Sequence, residues 1–178
     1  MKTLKLTALA AACLLTVTLA FAGCAPDKKG PASEASGPAG TETSQQAEAP
    51  AVSAADCAAA IAGTVKLPEM VEGTKRAVSA YYGVEAETLK DYKAMLISSG
   101  ATADEIAVLI AADEKTAGDI AALLEQRRQD QIVSFTGYVD SEVPRLKKAK
   151  VGRIGTVCYF ICTDDPTAGE TALKKLIG

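Results

Sequence analysis

Residues 153–163 read "RIGTVCYFICT", and the reading of this stretch decides the fold. Nearly every residue is β-branched, aromatic or a cysteine, the types that fit a pleated, covered surface. At strand spacing Ile154, Thr156, Cys158, Phe160 and Cys162 point one way, and Val157, Tyr159 and Ile161 point the other. Both sets are mostly apolar, which predicts one strand buried on both faces. Downstream, Asp165-Pro166 starts a helix, with proline at its first position, and Ala172, Leu173, Leu176 and Ile177 pack that helix back. Upstream, Ser141 starts a short helix running to Lys150, with Val143, Leu146 and Ala149 apolar.

Two further strands are predicted at residues 92–98 ("YKAMLIS") and 105–111 ("EIAVLIA"), joined by the loop "SGATAD" as an antiparallel hairpin. Asp113 caps a long helix over residues 114–135, in which Ala117, Ile120, Ala121, Leu124, Ile132 and Phe135 recur at helical spacing. Nearer the start, Ser53 and Asp56 form a capping pattern before an alanine-rich helix that Pro68 ends. Residues 73–82 hold another short helix closed by Gly83, and the acidic residues 84–91 read as turn. The order predicts an α+β domain over residues 53–178, a small, mainly antiparallel sheet of about three strands packed with helices.

The N-terminus carries a different message. Lys2 and Lys5 precede an apolar run, and small residues precede Cys24 in "FAGC". Residues 1–23 read as a secretory signal peptide. The apolar run is short for a membrane span, which needs about 20 residues. "FAGC" resembles the lipobox of bacterial lipoproteins, with Phe21 where leucine is usual. The resemblance implies cleavage before Cys24 and a diacylglycerol on its thiol. Two acyl chains give stable anchoring where one is marginal, so the expected location is the outer face of a cell membrane. Residues 24–52 then form the lipidated cysteine and a linker of Ala, Pro, Gly, Ser, Thr, Glu and Gln. Such a composition is expected to be disordered, with a mean span of about 30 Å.

The domain itself shows a second likeness, carried by "EIAVLIA", by "AADEKTAGDIAALLEQRRQDQIVSFTGY" and by "RLKKAKVGRIGTVCYFICTDD" in that order. From about residue 57 to 165 the chain resembles the lipoprotein family known as the domain of unknown function numbered 4358. The resemblance implies a surface lipoprotein of a Gram-positive bacterium without an established activity, and it brings no catalytic or binding residues.

The residue inventory narrows the chemistry. The 178-residue chain has no histidine, which removes Ser/His and Cys/His catalysis. It has 22 acidic against 19 basic residues, and no nucleic-acid partner is expected of a net acidic chain. There is no glycine-rich phosphate loop, and neither a cofactor nor a metal site is expected. Asp164-Asp165 reads as a helix cap. Cys57, Cys158 and Cys162 remain once Cys24 is lipidated and Cys13 leaves with the signal. Cys158 and Cys162 share a strand face roughly 13 Å apart, beyond the reach of about 7 Å that a disulfide allows. All three read as buried thiols, with a bridge from Cys57 to one of the others left open.

Arg145, Lys147, Lys148, Lys150 and Arg153 form a dense basic stretch. They read as cations complementing a helix C-terminus, or as a contact for anionic lipid headgroups or wall polymers. Arg127, Arg128, Asp130 and Gln131, with Tyr138 beyond, read as a solvated helix face, the alternative being a small polar groove. The expectation is a membrane-anchored, non-enzymatic domain that binds an unknown protein partner or serves the envelope structurally. The alternatives are a solute receptor for a transporter and a hydrolase built on carboxylates or Ser/Lys.

Overall fold

The computed structural model describes residues 52–178. The expected signal peptide, Cys13, Cys24 and the expected linker up to residue 51 lie outside the described residues.

Helix α1 (Ala54–Ala62) starts where expected: Ser53 Oγ accepts from Asp56 N at 3.1 Å and donates to Asp56 Oδ2 at 2.6 Å. A two-residue strand β1 (Val71–Glu72) leads to α2 (Lys75–Tyr82), capped by Thr74 and ended by Gly83 in the left-handed conformation. Strands β2 (Asp91–Leu96) and β3 (Glu105–Ile110) form the predicted hairpin. Helix α3 (Glu114–Phe135) is capped by Asp113, whose carboxylate accepts from Thr116 N at 2.7 Å. Then come α4 (Val143–Lys148), β4 (Lys150–Ile154), β5 (Val157–Cys162) and α5 (Pro166–Ile177), the last capped by Asp165.

The sheet has five strands rather than about three, in the order β1-β2-β3-β5-β4, every pair antiparallel. The class is α+β as expected. The extra strands come from β1, too short to carry a periodic signal, and from residues 153–163. That stretch is two strands. Gly155, at φ 55, and Thr156 make a two-residue turn, and Ile154 pairs with Val157. Glycine adopts that positive φ without steric cost, and two-residue hairpin loops need it. The turn also moves Ile154 to the Val157 side of the sheet. The helix predicted to reach Lys150 stops at Lys148, and Lys150 begins β4.

Layers of helix cover both faces. Ala107, Leu109, Cys158, Phe160 and Cys162 face α2, α3 and α4, whose Val78, Ala117, Ile120, Leu124 and Leu146 complete that core. Ile106, Val108, Val157, Tyr159 and Ile161 face α1 and α5, with Cys57, Ile61 and Leu173. All residues of β3 and β5 are therefore buried.

Gly169 shows how closely α5 approaches. A Cβ there would lie 3.0 Å from Ile61 Cγ2 and 3.2 Å from Ile161 Cγ2, both on fully buried side chains. Gly169→Val is expected to cost about 1–3 kcal/mol through overpacking. In urea its midpoint should fall with an unchanged slope. Gly169→Ala should stay near neutral, because alanine's helix preference of about 1 kcal/mol offsets a small shift.

Candidate functional site

At the end of the sheet where β2 leaves and β3 begins there is a cleft of about 370 Å³, within the range of small-ligand sites. Its walls are the β1–α2 junction (Gly73, Thr74), the segment after β2 (Ser98, Thr102) and the second half of α3 (Arg127, Gln131). Tyr81, 48 % exposed, stands at its rim.

The organising residue is Glu105. It opens β3 on the α3 side of the sheet, opposite Leu96 and Cys162, and its side chain is only 3 % exposed. A carboxylate so placed must be paired. Arg127 and Gln131 do this from one turn of α3, since residues four apart share a helix face. Arg127 donates through Nε at 3.3 Å and Nη2 at 2.9 Å, and Gln131 Nε2 donates to Oε2 at 2.9 Å. The planar guanidinium matches the carboxylate in a two-point pair. The guanidinium carbon also lies 4.8 Å from the centre of the Tyr81 ring, a cation–π distance. Burial opposes the Arg127 charge, but the hydrogen bonds and charge of Glu105 outweigh it, so its pKa lies above the ordinary value.

Arg127 and Gln131 are therefore wall residues of a polar cleft, and the solvated-face expectation is corrected for both. Arg128 turns instead to Glu125, at 2.6 Å. Three buried hydroxyls have no hydrogen-bond partner among the described residues: Tyr82 Oη, Thr102 Oγ1 and, beyond the far end of β5, Thr163 Oγ1. Burial, and then the Glu105 charge, push the Tyr82 pKa well above its usual value.

A second network braces the cleft. Arg145 donates through Nη1 to Asp104 Oδ1 at 2.6 Å and through Nη2 to Asp164 Oδ1 at 2.7 Å, and its Nε lies 3.4 Å from Glu142 Oε2. Glu142 also accepts from Ala103 N at 3.0 Å. Asp104 is buried and Glu142 half-buried, so Arg145 is committed inward. The basic stretch thus divides. Lys147 and Lys148 are exposed on the last turn of α4, and Lys150 and Arg153 lie on β4.

All three described cysteines are free and buried. Cys57 belongs to the α1/α5 core, whereas Cys158 and Cys162 face α3, so the sheet lies between them. Cys158 Sγ donates to Ala117 O at 3.2 Å. Burial raises the Cys158 pKa to about 11. Burial, with the carboxylates of Asp104 and Glu105 next, raises that of Cys162 to about 12. These folded values lie above the ordinary 9.0, so the stability they reflect is complete below about pH 9. It is lost as the pH rises towards 11 and 12. The unfolding free energy should fall above pH 9 by about 1.4 kcal/mol per pH unit for each of the two thiols. Denaturant titrations from pH 8 to 10.5 check this, and Cys158→Ala should flatten the slope.

Among the described residues no helix is long and apolar enough to cross a membrane. The family described as "Domain of unknown function (DUF4358)" matches residues 64–163, more than half of the chain. The chain belongs to this family. No curated protein and no solved structure matches it. The DUF4358 segment contains the whole sheet, α2 to α4, the Glu105–Arg127–Gln131 cluster and Arg145 with Asp104 and Glu142, while Asp164 falls just beyond it. Helices α1 and α5, which cover the opposite face, fall outside the matched range.

Proposed function

We propose that this DUF4358 protein is a lipid-anchored protein of the outer membrane face whose domain binds a small polar ligand or polar side chain in the Glu105–Arg127 cleft. The anchor rests on the N-terminal pattern of Lys2, Lys5, the apolar run and "FAGC". The binding reading rests on one observation: the ionisable groups at the base of the cleft are already locked to one another. A carboxylate held by a two-point arginine is a fixed hydrogen-bonding wall and a poor proton shuttle, since a general base must be free to reach its proton. Around it Tyr81, Ser98 and Gln131 offer a ring and polar atoms along the cleft.

Two experiments test the two halves. Cys24→Ser should shift the protein from the membrane fraction to the medium, or leave it unprocessed. A Ser variant that is cleaved and still membrane-bound overturns the anchor. For the cleft, the full chain is screened by thermal shift against polar metabolites and saccharides. Hits should raise the melting temperature of the parent and leave Tyr81→Ala unmoved. Turnover of ester, phosphate or peptide reporters that disappears in Glu105→Gln would replace binding with catalysis.

A further inference from the structure

The cleft leaves the basic stretch unexplained once Arg145 is taken up by Asp104, Glu142 and Asp164. We propose that the outer edge of β4 is a docking edge for an extended acidic peptide segment, which adds to the sheet as a further strand beside Lys147, Lys148, Lys150 and Arg153.

The backbone makes the first half of the case. β4 is an edge strand, paired only with β5 among the described residues. The two-residue turn fixes which of its groups are used. Ile154 and Val157 flank the loop and exchange hydrogen bonds. In an antiparallel ladder the bonded pairs then alternate, so Gly152 with Tyr159 and Lys150 with Ile161 are bonded in turn. Val151 and Arg153 therefore direct their N–H and C=O groups away from β5. The bond from Ala111 N to Thr156 O, at 2.9 Å on the far side of the β5 end of this hairpin, has the matching phase. β4 has no proline, and its five residues pair with β5 one for one, without a bulge. Strand addition to such an edge is a common way to bind extended peptides.

Charge supplies the second half. None of Lys147, Lys148, Lys150 and Arg153 has a carboxylate within 4 Å among the described residues, whereas Arg127, Arg128 and Arg145 all do. Arg153 is held at the edge by a bond from Nη1 to Gly155 O at 3.1 Å. Cations on an edge strand discourage pairing with a second copy, because a partner β4 would bring like charges face to face. The same cations favour a strand bearing carboxylates. The occupant that satisfies both the open backbone groups and the charge is an acidic extended segment.

The test uses the full chain in neutral detergent and two fluorescent peptides of equal charge. One alternates glutamate with valine. The other has proline in place of some valines, so it cannot form a ladder. The strand-forming peptide should bind about tenfold more tightly. Binding should weaken by about as much in Lys147→Gln/Lys148→Gln/Lys150→Gln, and with added salt. Amide exchange at Val151 and Arg153 should slow on binding, while Gly152 and Ile154, already bonded to β5, stay as they were. Val151→Pro removes an outward N–H without breaking a bond to β5 and should abolish the difference between the peptides. Equal binding of the two peptides, or unchanged exchange at Val151 and Arg153, overturns the proposal. Displacement of both peptides alike by a soluble short-chain anionic phospholipid would make the stretch a headgroup contact instead. These readouts do not depend on the cleft.

Discussion

An Arg127→Met variant is expected to lose about 3–5 kcal/mol of unfolding free energy, the usual cost of breaking a buried ion pair from one side. The size follows from the partner left behind. Glu105 is 3 % exposed and sits in the ladder between β2 and β5, so its carboxylate cannot move to water. Gln131 supplies one hydrogen bond, too little to replace a charge. The Tyr81 ring also loses its cation. Glu105→Gln should cost less, because Arg127 is 18 % exposed and lies at the cleft wall, where its charge can tilt towards solvent. This asymmetry is the diagnostic part. Removing both charges together, in Glu105→Gln/Arg127→Met, should recover much of the loss, since a neutral pair of similar volume carries no stranded ion. Urea unfolding of the four proteins gives the coupling energy directly.

Arg145→Met is the second large effect, with an expected loss of about 3 kcal/mol, towards the lower end of the range for broken buried pairs. Asp104 and Glu142 are 4 % and 13 % exposed and both lose their cation. Asp164, at 68 %, is solvated and adds little. The damage should be local as well as global. Glu142 pins the backbone of Ala103, so the loop before β3 should exchange its amides faster at denaturant concentrations far below unfolding. Adding Asp104→Asn to Arg145→Met should restore part of the stability. If Arg145→Met unfolds like the parent, the network is a surface feature and does not brace the cleft.

What was legible in the sequence follows the strength of local signals. The hairpin of β2 and β3, the long helix behind Asp113, and the caps at Ser53 and Asp165 each rest on a period or a capping side chain, and they stand where expected. The family resemblance is likewise upheld. Residues 153–163 misled because a turn of only two residues interrupts an apolar run without changing its composition. Gly155 was the single clue, and β-formers on both sides concealed it. The cleft was half visible. Arg127 and Gln131 stand out in the sequence, but on a surface helix two polar residues one turn apart are ordinary. The decisive signal lay elsewhere, in Glu105 heading an otherwise apolar strand. A charge there demands a partner, and only the tertiary fold says that α3 supplies it. Arg145 groups with its lysines in the sequence, since adjacency says nothing about which side chain turns inward.

The position of the thiols has a consequence for how the chain matures. In the finished fold the sheet separates Cys57 from Cys158 and Cys162, and those two are too far apart along one strand to join. No intramolecular bridge among the three is compatible with a closed sheet. An oxidising surrounding therefore offers this domain no staple, only the hazard of capture before β3 and β5 have paired. Any bridged form would mark a chain that was oxidised before it folded, and a reductant would rescue such a chain while leaving the native one unchanged.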